Sequence, residues 1–384
     1  MLEGYSRGDY SSKHAAAFYA AYFGVLGVLL PYLGPYLQLK GIGPVGIGLI
    51  TAAVSLAKVV YTPCVGAVVD RGRWFSGLLT VHVALAAAIA FALHRVRGSV
   101  EVGVAFFIVG LGYATVLPLV EATILEKMPA RGYGGVRVWG SVGFILVATA
   151  AGPAFVGKNL LYFPTALGGL LVVLAVSCLP FDHPPRPRTS SVRGGLPAKV
   201  WWLLLILFLH QVSHGPYYAF FSIDLKAHGM SNWVVSAMWS IGVLAESLAF
   251  LKGSWLERRL GLRRLLGVAL FLTPFRWLLL ALPPTLPILL LAQLGHAVTF
   301  AMAHLAGVQL VQRAAPAGTA RRAQALYSGL TFGLGIVLGS AAAGPLYAAA
   351  AGPGSFLAAT ALSTALFLVW LPLGPRLGLG LVRK

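Results

Sequence analysis

Apolar segments separated by short polar stretches follow one another along the whole chain. A helix needs about 20 consecutive apolar residues to cross the hydrocarbon core of a bilayer. Twelve segments of roughly this length can be drawn, starting near Ala15, Val45, Phe75, Val102, Val136, Leu160, Val200, Trp233, Leu265, Leu286, Ala323 and Ser355. Unpaired backbone groups are costly in lipid and the alternation typical of barrel strands is absent, so all twelve are predicted to be helices.

The longest polar stretch, residues 182–199, divides the sequence almost in half and contains four prolines and three arginines, typical of an extended linker. Related motifs begin at Gly66 and Gly253, 187 residues apart (253 − 66), which indicates an internal duplication of the kind found in transporters. The predicted fold is therefore an all-α membrane protein with two pseudo-symmetric six-helix bundles. Their boundaries are predicted at residues 1–182 and 200–384, with a cytoplasmic linker over 183–199.

Composition supports a membrane location, since 58% of the residues are hydrophobic and 10% are charged, whereas soluble domains are about 25% charged. The formal net charge of +19 could suggest a nucleic-acid partner. However, most Lys and Arg lie in loops that alternate with outer loops holding Lys40, Arg95, Arg97, Lys158 and Lys226. This asymmetry predicts a multi-pass protein of the inner (plasma) membrane with both termini cytoplasmic and no nucleic-acid partner. We expect a monomer.

Several kinds of chemistry are not expected. Cys64 and Cys178 both fall within apolar segments, and no HExxH motif accompanies the histidines, so neither a metal site nor a cofactor is predicted. No nucleophile and base stand at a recognisable spacing, which argues against an enzyme.

Charged residues inside predicted helices are the candidate functional groups, because such residues are costly in a membrane. Lys58 lies about half-way along the second helix, where structural pairing and a direct functional role are both open. Glu121 and Arg137 are equally far from the loop joining helices four and five, which predicts a buried ion pair. Tyr19 and Tyr22 belong to an aromatic face of helix one that either meets lipid or stacks on a solute.

The second half repeats this arrangement with Glu246 on helix eight and Arg276 on helix nine at similar predicted depths. Helix seven places His210 and His214 on one face, and helix ten carries His296. Each histidine alone is either a hydrogen-bonded packing residue or a proton carrier. Under the 187-residue offset Lys58 corresponds to position 245, next to Glu246, so Lys58 is a candidate fourth member of a group with Glu246, Arg276 and His296.

The duplicated motifs form two cytoplasmic elements with acids beside arginines at helix ends. Such elements can dock in one conformation and release in another, or they can fix topology as basic loops. The paired occurrence favours gating loops, and their residues are Gly66, Asp70, Arg71, Arg73, Gly253, Glu257 and Arg258.

Four runs together carry a more specific resemblance: FYAAYFGVLGVLLPYLGPYL, RVWGSVGF, QLGHAVTFAMAH and RRAQALYSGL. They resemble the 3-phenylpropionate permease group of the major facilitator superfamily, which is related to oligosaccharide and nucleoside proton symporters. The resemblance implies a central cavity lined by helices one, four, seven and ten. The resemblance gives functional roles to Glu121 and Arg137, which we predict to bind substrate, and to Glu246, Arg276 and His296, which we predict to couple protons. His210 and His214 on helix seven would face the implied cavity, and with Tyr19 and Tyr22 of the aromatic face they complete the predicted substrate-binding residues. Lys58 joins the predicted proton-coupling residues through the duplication offset.

One expected group is missing, because the lactose-permease branch carries a carboxylate three residues after its helix-ten histidine and this chain has Thr299. The predicted function is proton-coupled symport, importing a small organic solute such as an aromatic acid, sugar or nucleoside by alternating access. The alternative is a proton-coupled drug or solute antiporter, whose helix-five signature is only partly present as Ala151-Gly152-Pro153.

Overall fold

The computed structural model describes residues 11–70, 77–127, 130–181, 195–316 and 318–377. In the first half the membrane helices are α1 (Ser12–Leu39), α2 (Pro44–Asp70), α3 (Leu78–Ala92), α4 (Ser99–Ala114 continued by Val116–Lys127), α5 (Ala130–Ala154) and α6 (Phe163–Cys178). The 3₁₀ turns Gly157–Tyr162 and Leu179–Phe181 flank α6.

In the second half the helices are α7 (Ala198–Val212 and Gly215–Ala227), α8 (Asn232–Leu251), α9 (Leu262–Ala281) and α10 (Leu286–Leu294, Ala297–Met302 and Ala303–Ala314). Helix α11 comprises Ala320–Tyr327, Ser328–Gly335 and the first part of Ile336–Arg376. The remainder of Ile336–Arg376 is α12, which follows a break where Ala350 and Ala351 have non-helical dihedral angles.

The described residues account for twelve crossings. Nine helical stretches are long and apolar enough to span a membrane, and one of them, Arg322–Arg376, holds both α11 and α12. The short apolar α3 and the two halves of α7 supply the other two crossings. The predicted all-α fold is confirmed. The breaks in α4 and α7 were not predicted from the sequence.

The chain divides into two compact units. The first contains residues 1–29 and 57–189, and the second contains residues 30–56 and 190–384. The loop end of the α1–α2 hairpin, residues 30–56, thus belongs to the second unit. Within that unit the Tyr32 hydroxyl lies 2.5 Å from Ser236 Oγ on α8. The predicted boundary at residues 183–199 falls near the division at 189, and the predicted bundles themselves stay a prediction.

Small residues allow α1 and α5 to approach closely in the first unit. A Cβ atom added at Gly143 would lie 2.2 Å from the carbonyl oxygen of Ala20, and one added at Gly27 would lie 2.7 Å from that of Phe144. Real Cβ atoms do not approach oxygen this closely, so only glycine fits. Glycines in both helices thus permit the close packing of α1 on α5.

The aromatic residues of α1 are buried inside the first unit. Phe18 and Tyr19 have no exposed surface and Tyr22 is 5% exposed. The ring of Phe18 contacts Phe181, and the ring of Tyr22 stacks on Tyr113 with centroids 4.3 Å apart. The interpretation of this face as lipid-facing was therefore wrong, because its rings fill the space between helices.

Candidate functional site

Glu121 of α4 and Arg137 of α5 lie together in the first unit, with 3.6 Å between Arg137 Nε and Glu121 Oε1. The Tyr19 hydroxyl donates a hydrogen bond to the same carboxylate oxygen at 3.1 Å. The predicted pairing is confirmed. The prediction that the pair is buried was wrong, since the two side chains are 27% and 36% exposed. A partly exposed pair within membrane helices suits contact with a solute better than a purely structural role.

Arg137 meets Glu121 along one edge of its guanidinium group. The guanidinium carbon lies 4.1 Å from the ring centroid of Phe23 and 5.1 Å from that of Tyr19, within the range of cation–π attraction. Within the part of the chain that the structure describes, the terminal nitrogens Nη1 and Nη2 make no hydrogen bond to the protein. The ring contacts therefore hold the group in place while its two terminal donors stay available.

Lys58 of α2 is half-buried and belongs to the same unit as this pair. Among the described residues it has no carboxylate within 4 Å. Lys58 thus lies in the unit that holds Glu121 and Arg137, and its predicted membership of the group around Glu246 stays a prediction. We call Lys58, Glu121 and Arg137 the first charged cluster.

Glu246 of α8 and His296 of α10 form the second charged cluster, which lies in the second unit. Glu246 Oε2 is 3.5 Å from His296 Nε2, and the side chains are 24% and 7% exposed. Histidine changes its charge near neutral pH, with an ordinary pKa of about 6.5. A carboxylate and an imidazole at this separation can share one proton.

Arg276 of α9 is 2% exposed and does not pair with Glu246. Its Nε donates to the carbonyl oxygen of Ala292 at 2.8 Å, and its guanidinium carbon lies 4.5 Å from the ring centroids of Tyr217 and Trp277. Nη1 and Nη2 make no hydrogen bond within the described residues. Glu246 and Arg276 therefore do not form an ion pair, because Arg276 is turned toward the backbone of α10.

His210 and His214 are 3% and 0% exposed, so their rings lie inside the second unit. His210 Nε2 is 2.8 Å from the carbonyl oxygen of Thr299, and His214 Nδ1 is 2.9 Å from that of His210. A carbonyl oxygen only accepts, so these nitrogens are the protonated ones in the neutral rings. His210 Nδ1 and His214 Nε2 are then acceptors without a partner in the described chain. Their predicted substrate contact stays a prediction.

The carbonyl bonded by His210 belongs to an irregular part of α10. Ala297–Met302 is a π-helical segment, and such segments are frequent at functional sites. A second π-helical segment, Ser328–Gly335, lies in α11, and the rings of Phe300 and Phe332 connect the two with centroids 5.9 Å apart. The sequence run around His296 gave no sign of this geometry.

Sequence reasoning also missed Tyr217. Its hydroxyl donates to Gln293 Oε1 at 3.0 Å, and its ring contacts both Arg276 and Trp239. It follows His214 by three residues and His210 by seven, so helical periodicity alone could have placed it on their face, despite the break in α7.

The second gating element is a short helix, Gly253–Leu260, rather than the predicted loop. Glu257 accepts hydrogen bonds from Arg313 Nη2 at 2.5 Å and from Gln309 Nε2 at 3.0 Å, both at the end of α10, while Arg258 is exposed. In the first element, Gly66 and Asp70 lie in α2 but their surroundings are outside the described part, as are Arg71 and Arg73. The gating role of both elements stays a prediction.

In the part of the chain that the structure describes, no three His, Cys, Asp or Glu side chains lie together so that they could hold a metal ion.

Comparison with known proteins decides the family. A model described as the MFS_1 like family matches residues 14–358. The chain belongs to this family. One relative, from Escherichia coli (strain K12), is named "Probable 3-phenylpropionic acid transporter". It is 29% identical over 355 residues, covering 88% of this chain and 91% of the relative. The maltose permease of Geobacillus stearothermophilus is 26% identical over 333 residues, covering 83% of each chain.

The fold of the MFS_1-like chain is also that of a solved transporter. The crystal structure of the nucleoside transporter NupG superposes with a TM-score of 0.80 at 17% identity, covering 94% of this chain and 98% of the other. The resemblance to major facilitator permeases is confirmed, and these relatives are transporters rather than enzymes. This MFS_1-like chain is accordingly a multi-pass membrane transporter.

Proposed function

We propose that the protein imports a small organic solute together with protons by alternating access. The observation that carries the proposal is the contact between Glu246 and His296, two titratable groups 3.5 Å apart inside membrane helices. A carboxylate that faces a cation in one access state and loses it in the other changes its proton affinity with conformation. Proton binding and solute access then depend on one another, as coupling requires.

Arg276 is the cation that we propose to tune this exchange. It is buried and contacts the ring of Tyr217, as His296 does, and its two terminal nitrogens have no hydrogen-bond partner in the described chain. A buried guanidinium with two unsatisfied nitrogens is costly, so a shift of Glu246 toward Arg276 would stabilise both groups. In this account Glu246 alternates between His296, which can pass on the proton, and Arg276, which holds the carboxylate ionised.

The solute-binding role falls to the first charged cluster and to the aromatic residues around it. The relatives are named as transporters of 3-phenylpropionic acid and maltose, and NupG as a nucleoside transporter. Radiolabelled 3-phenylpropanoate, maltose and uridine therefore form the first panel for uptake into proteoliposomes.

Uptake of at least one panel member is expected to rise above its equilibrium level when the lumen is made alkaline. A pH difference of one unit supplies about 1.4 kcal/mol, enough for up to about tenfold accumulation. Protein-free liposomes measure passive entry of the acid. Accumulation driven by an acidic lumen instead would support the antiporter, and saturable exchange with no effect of the gradient would refute coupling.

We further propose that the protein acts as a monomer in the inner (plasma) membrane with both termini and residues 183–199 in the cytoplasm. The bias of Lys and Arg toward one set of loops supports this orientation. A cysteine introduced by Ser190→Cys, after replacement of Cys64 and Cys178 by serine, should resist an impermeant maleimide added to intact cells. Labelling without permeabilisation would contradict the orientation.

A further inference from the structure

His304 is a titratable residue of α10 that the proposed coupling mechanism does not use. It follows His296 by eight residues (304 − 296), which places it roughly 12 Å further along the helix. The ring of Phe300 lies between the two imidazoles and stacks on both, with centroids 4.9 Å from His296 and 6.3 Å from His304. Three nearly parallel rings thus lead from the Glu246–His296 pair toward the end of α10 at Ala314.

Aromatic rings from neighbouring helices surround His304. The ring centroids of Phe332, Phe250 and Tyr327 lie 5.0, 5.8 and 5.9 Å from that of the imidazole, distances at which rings can attract a cation. The Tyr327 hydroxyl, a titratable group on α11, lies 3.1 Å from His304 Nδ1. A hydroxyl can donate to a bare nitrogen or accept from a protonated one, so this contact suits either charge state of His304.

The barrier between the two histidines lies where both α10 and α11 are irregular. The residues that separate the histidines include the π-helical Ala297–Met302. In α11 the π-helical Ser328–Gly335 carries Phe332, whose ring centroid lies 5.9 Å from that of Phe300. A π-helical turn holds an extra residue, and moving it by one position turns the side chains that it passes by about 100°. Phe300 and Phe332 therefore form a barrier that a shift in these segments would open.

Polar side chains continue beyond this barrier. Gln324 Nε2 of α11 donates to the carbonyl oxygen of Val308 at 2.6 Å, and Glu257 accepts hydrogen bonds from Gln309 and Arg313. The two glutamines are half-buried and the arginine is exposed. The apolar rings thus separate one set of polar groups around His296 from another that reaches the end of α10.

We propose that His304 is the relay that takes the proton from His296 and passes it to the end of α10, and that Phe300 closes this path until the π-helical segments rearrange. In the transfer, an N–H bond of the His296 imidazolium breaks and an N–H bond forms on His304, which becomes the imidazolium. The half-buried ring of His304 then gives the proton to water. The inference rests on the proposed function, since it assigns the next proton acceptor after Glu246 and His296.

The test compares net solute entry with solute exchange in proteoliposomes at equal, strongly buffered pH. Net entry requires the carrier to release its proton before it returns empty, whereas exchange of labelled for unlabelled solute does not. A positioned acid–base group speeds proton transfer by two or more orders of magnitude. His304→Ala should therefore slow net entry at least about tenfold and leave exchange unchanged.

Small heterocycles distinguish a proton relay from a packing role. Imidazole should restore net entry by His304→Ala, because it fits the space left by the side chain and exchanges protons near neutral pH. Pyrrole has a similar shape but is not basic, and it should not restore entry. The wild-type protein with each heterocycle measures their effect on the membrane.

Two further variants complete the experiment. His94→Ala is the matched control, because His94 is an exposed histidine whose Nε2 also contacts a hydroxyl, that of Thr165 at 2.8 Å, and the variant should behave as the wild type. His304→Gln covers the case in which the alanine variant folds poorly. Its amide can bond Tyr327 but does not carry a proton in exchange, so it should show the same loss of net entry.

Net entry at the wild-type rate by either folded variant of His304 would overturn the inference, as would restoration by pyrrole as well as imidazole. The proposed function fails differently, when solute entry by the wild-type protein moves no protons. Proton-coupled entry that depends on Glu246 but is indifferent to His304 would leave the proposed function standing and refute the relay.

Discussion

Glu246→Gln is expected to abolish proton-driven accumulation while solute exchange continues. Glutamine has nearly the shape of glutamate and can still bond His296, so the fold and the solute site should persist, but it cannot take up or release a proton. With an alkaline lumen, the wild-type protein should concentrate its solute up to about tenfold per pH unit, and the variant should only equilibrate it. Exchange of labelled for unlabelled solute without a gradient measures the retained activity.

Glu101→Gln is the matched control for this experiment. Glu101 accepts a hydrogen bond from the backbone nitrogen of Gly98 at the start of α4, and glutamine serves equally well at that capping position. The control should therefore accumulate solute normally. Uphill accumulation by folded Glu246→Gln would show that another group carries the proton, with His296 as the next candidate.

The second large effect is expected at Glu121. Glu121→Gln leaves Lys58 and Arg137 as two cations without a carboxylate, whereas the double variant Glu121→Gln with Arg137→Gln returns the formal charge to one. Because the pair is partly exposed, the single change should destabilise the protein by about 1 to 3 kcal/mol, between the values for surface and fully buried pairs. The double variant should regain part of this stability.

Thermal denaturation in detergent compares the two variants, again with Glu101→Gln as the control. Transport should be lost in both, because the first lacks the carboxylate that orients Arg137 and the second lacks the donors that bind the solute. If the double variant recovered transport along with stability, the pair would be structural and the solute site would lie elsewhere.

The sequence predicted the fold well because membrane insertion depends on local composition. Segment length and apolarity are sufficient to place a crossing, and they located all twelve helices. The break in α7 at Ser213 and His214 and the π-helical segments of α10 and α11 depend on packing against other helices. No local signal of that packing is present in one sequence.

The candidate pairs show the same limit. Glu121 and Arg137 are equally many residues away from the short loop between α4 and α5. In consecutive antiparallel helices such residues lie at the same depth in the membrane, so the sequence predicted this pair correctly. The same reasoning gave Glu246 and Arg276 similar depths but could not tell which way each side chain turns around its helix. Arg276 turns to the backbone of α10, and His296 takes the place beside Glu246. The duplication offset linked Lys58 to Glu246, although the two residues belong to different units, and that link stays a prediction.

The central claim is that solute and protons cross the membrane together, and proton movement during downhill solute entry tests it most directly. Proteoliposomes without a pH gradient, in weakly buffered medium, receive a pulse of the panel solute that the protein transports. The account predicts saturable alkalinisation of the medium that exceeds the signal of protein-free liposomes and disappears in Glu246→Gln. Solute entry with no external pH change beyond that background, or with acidification, would contradict it.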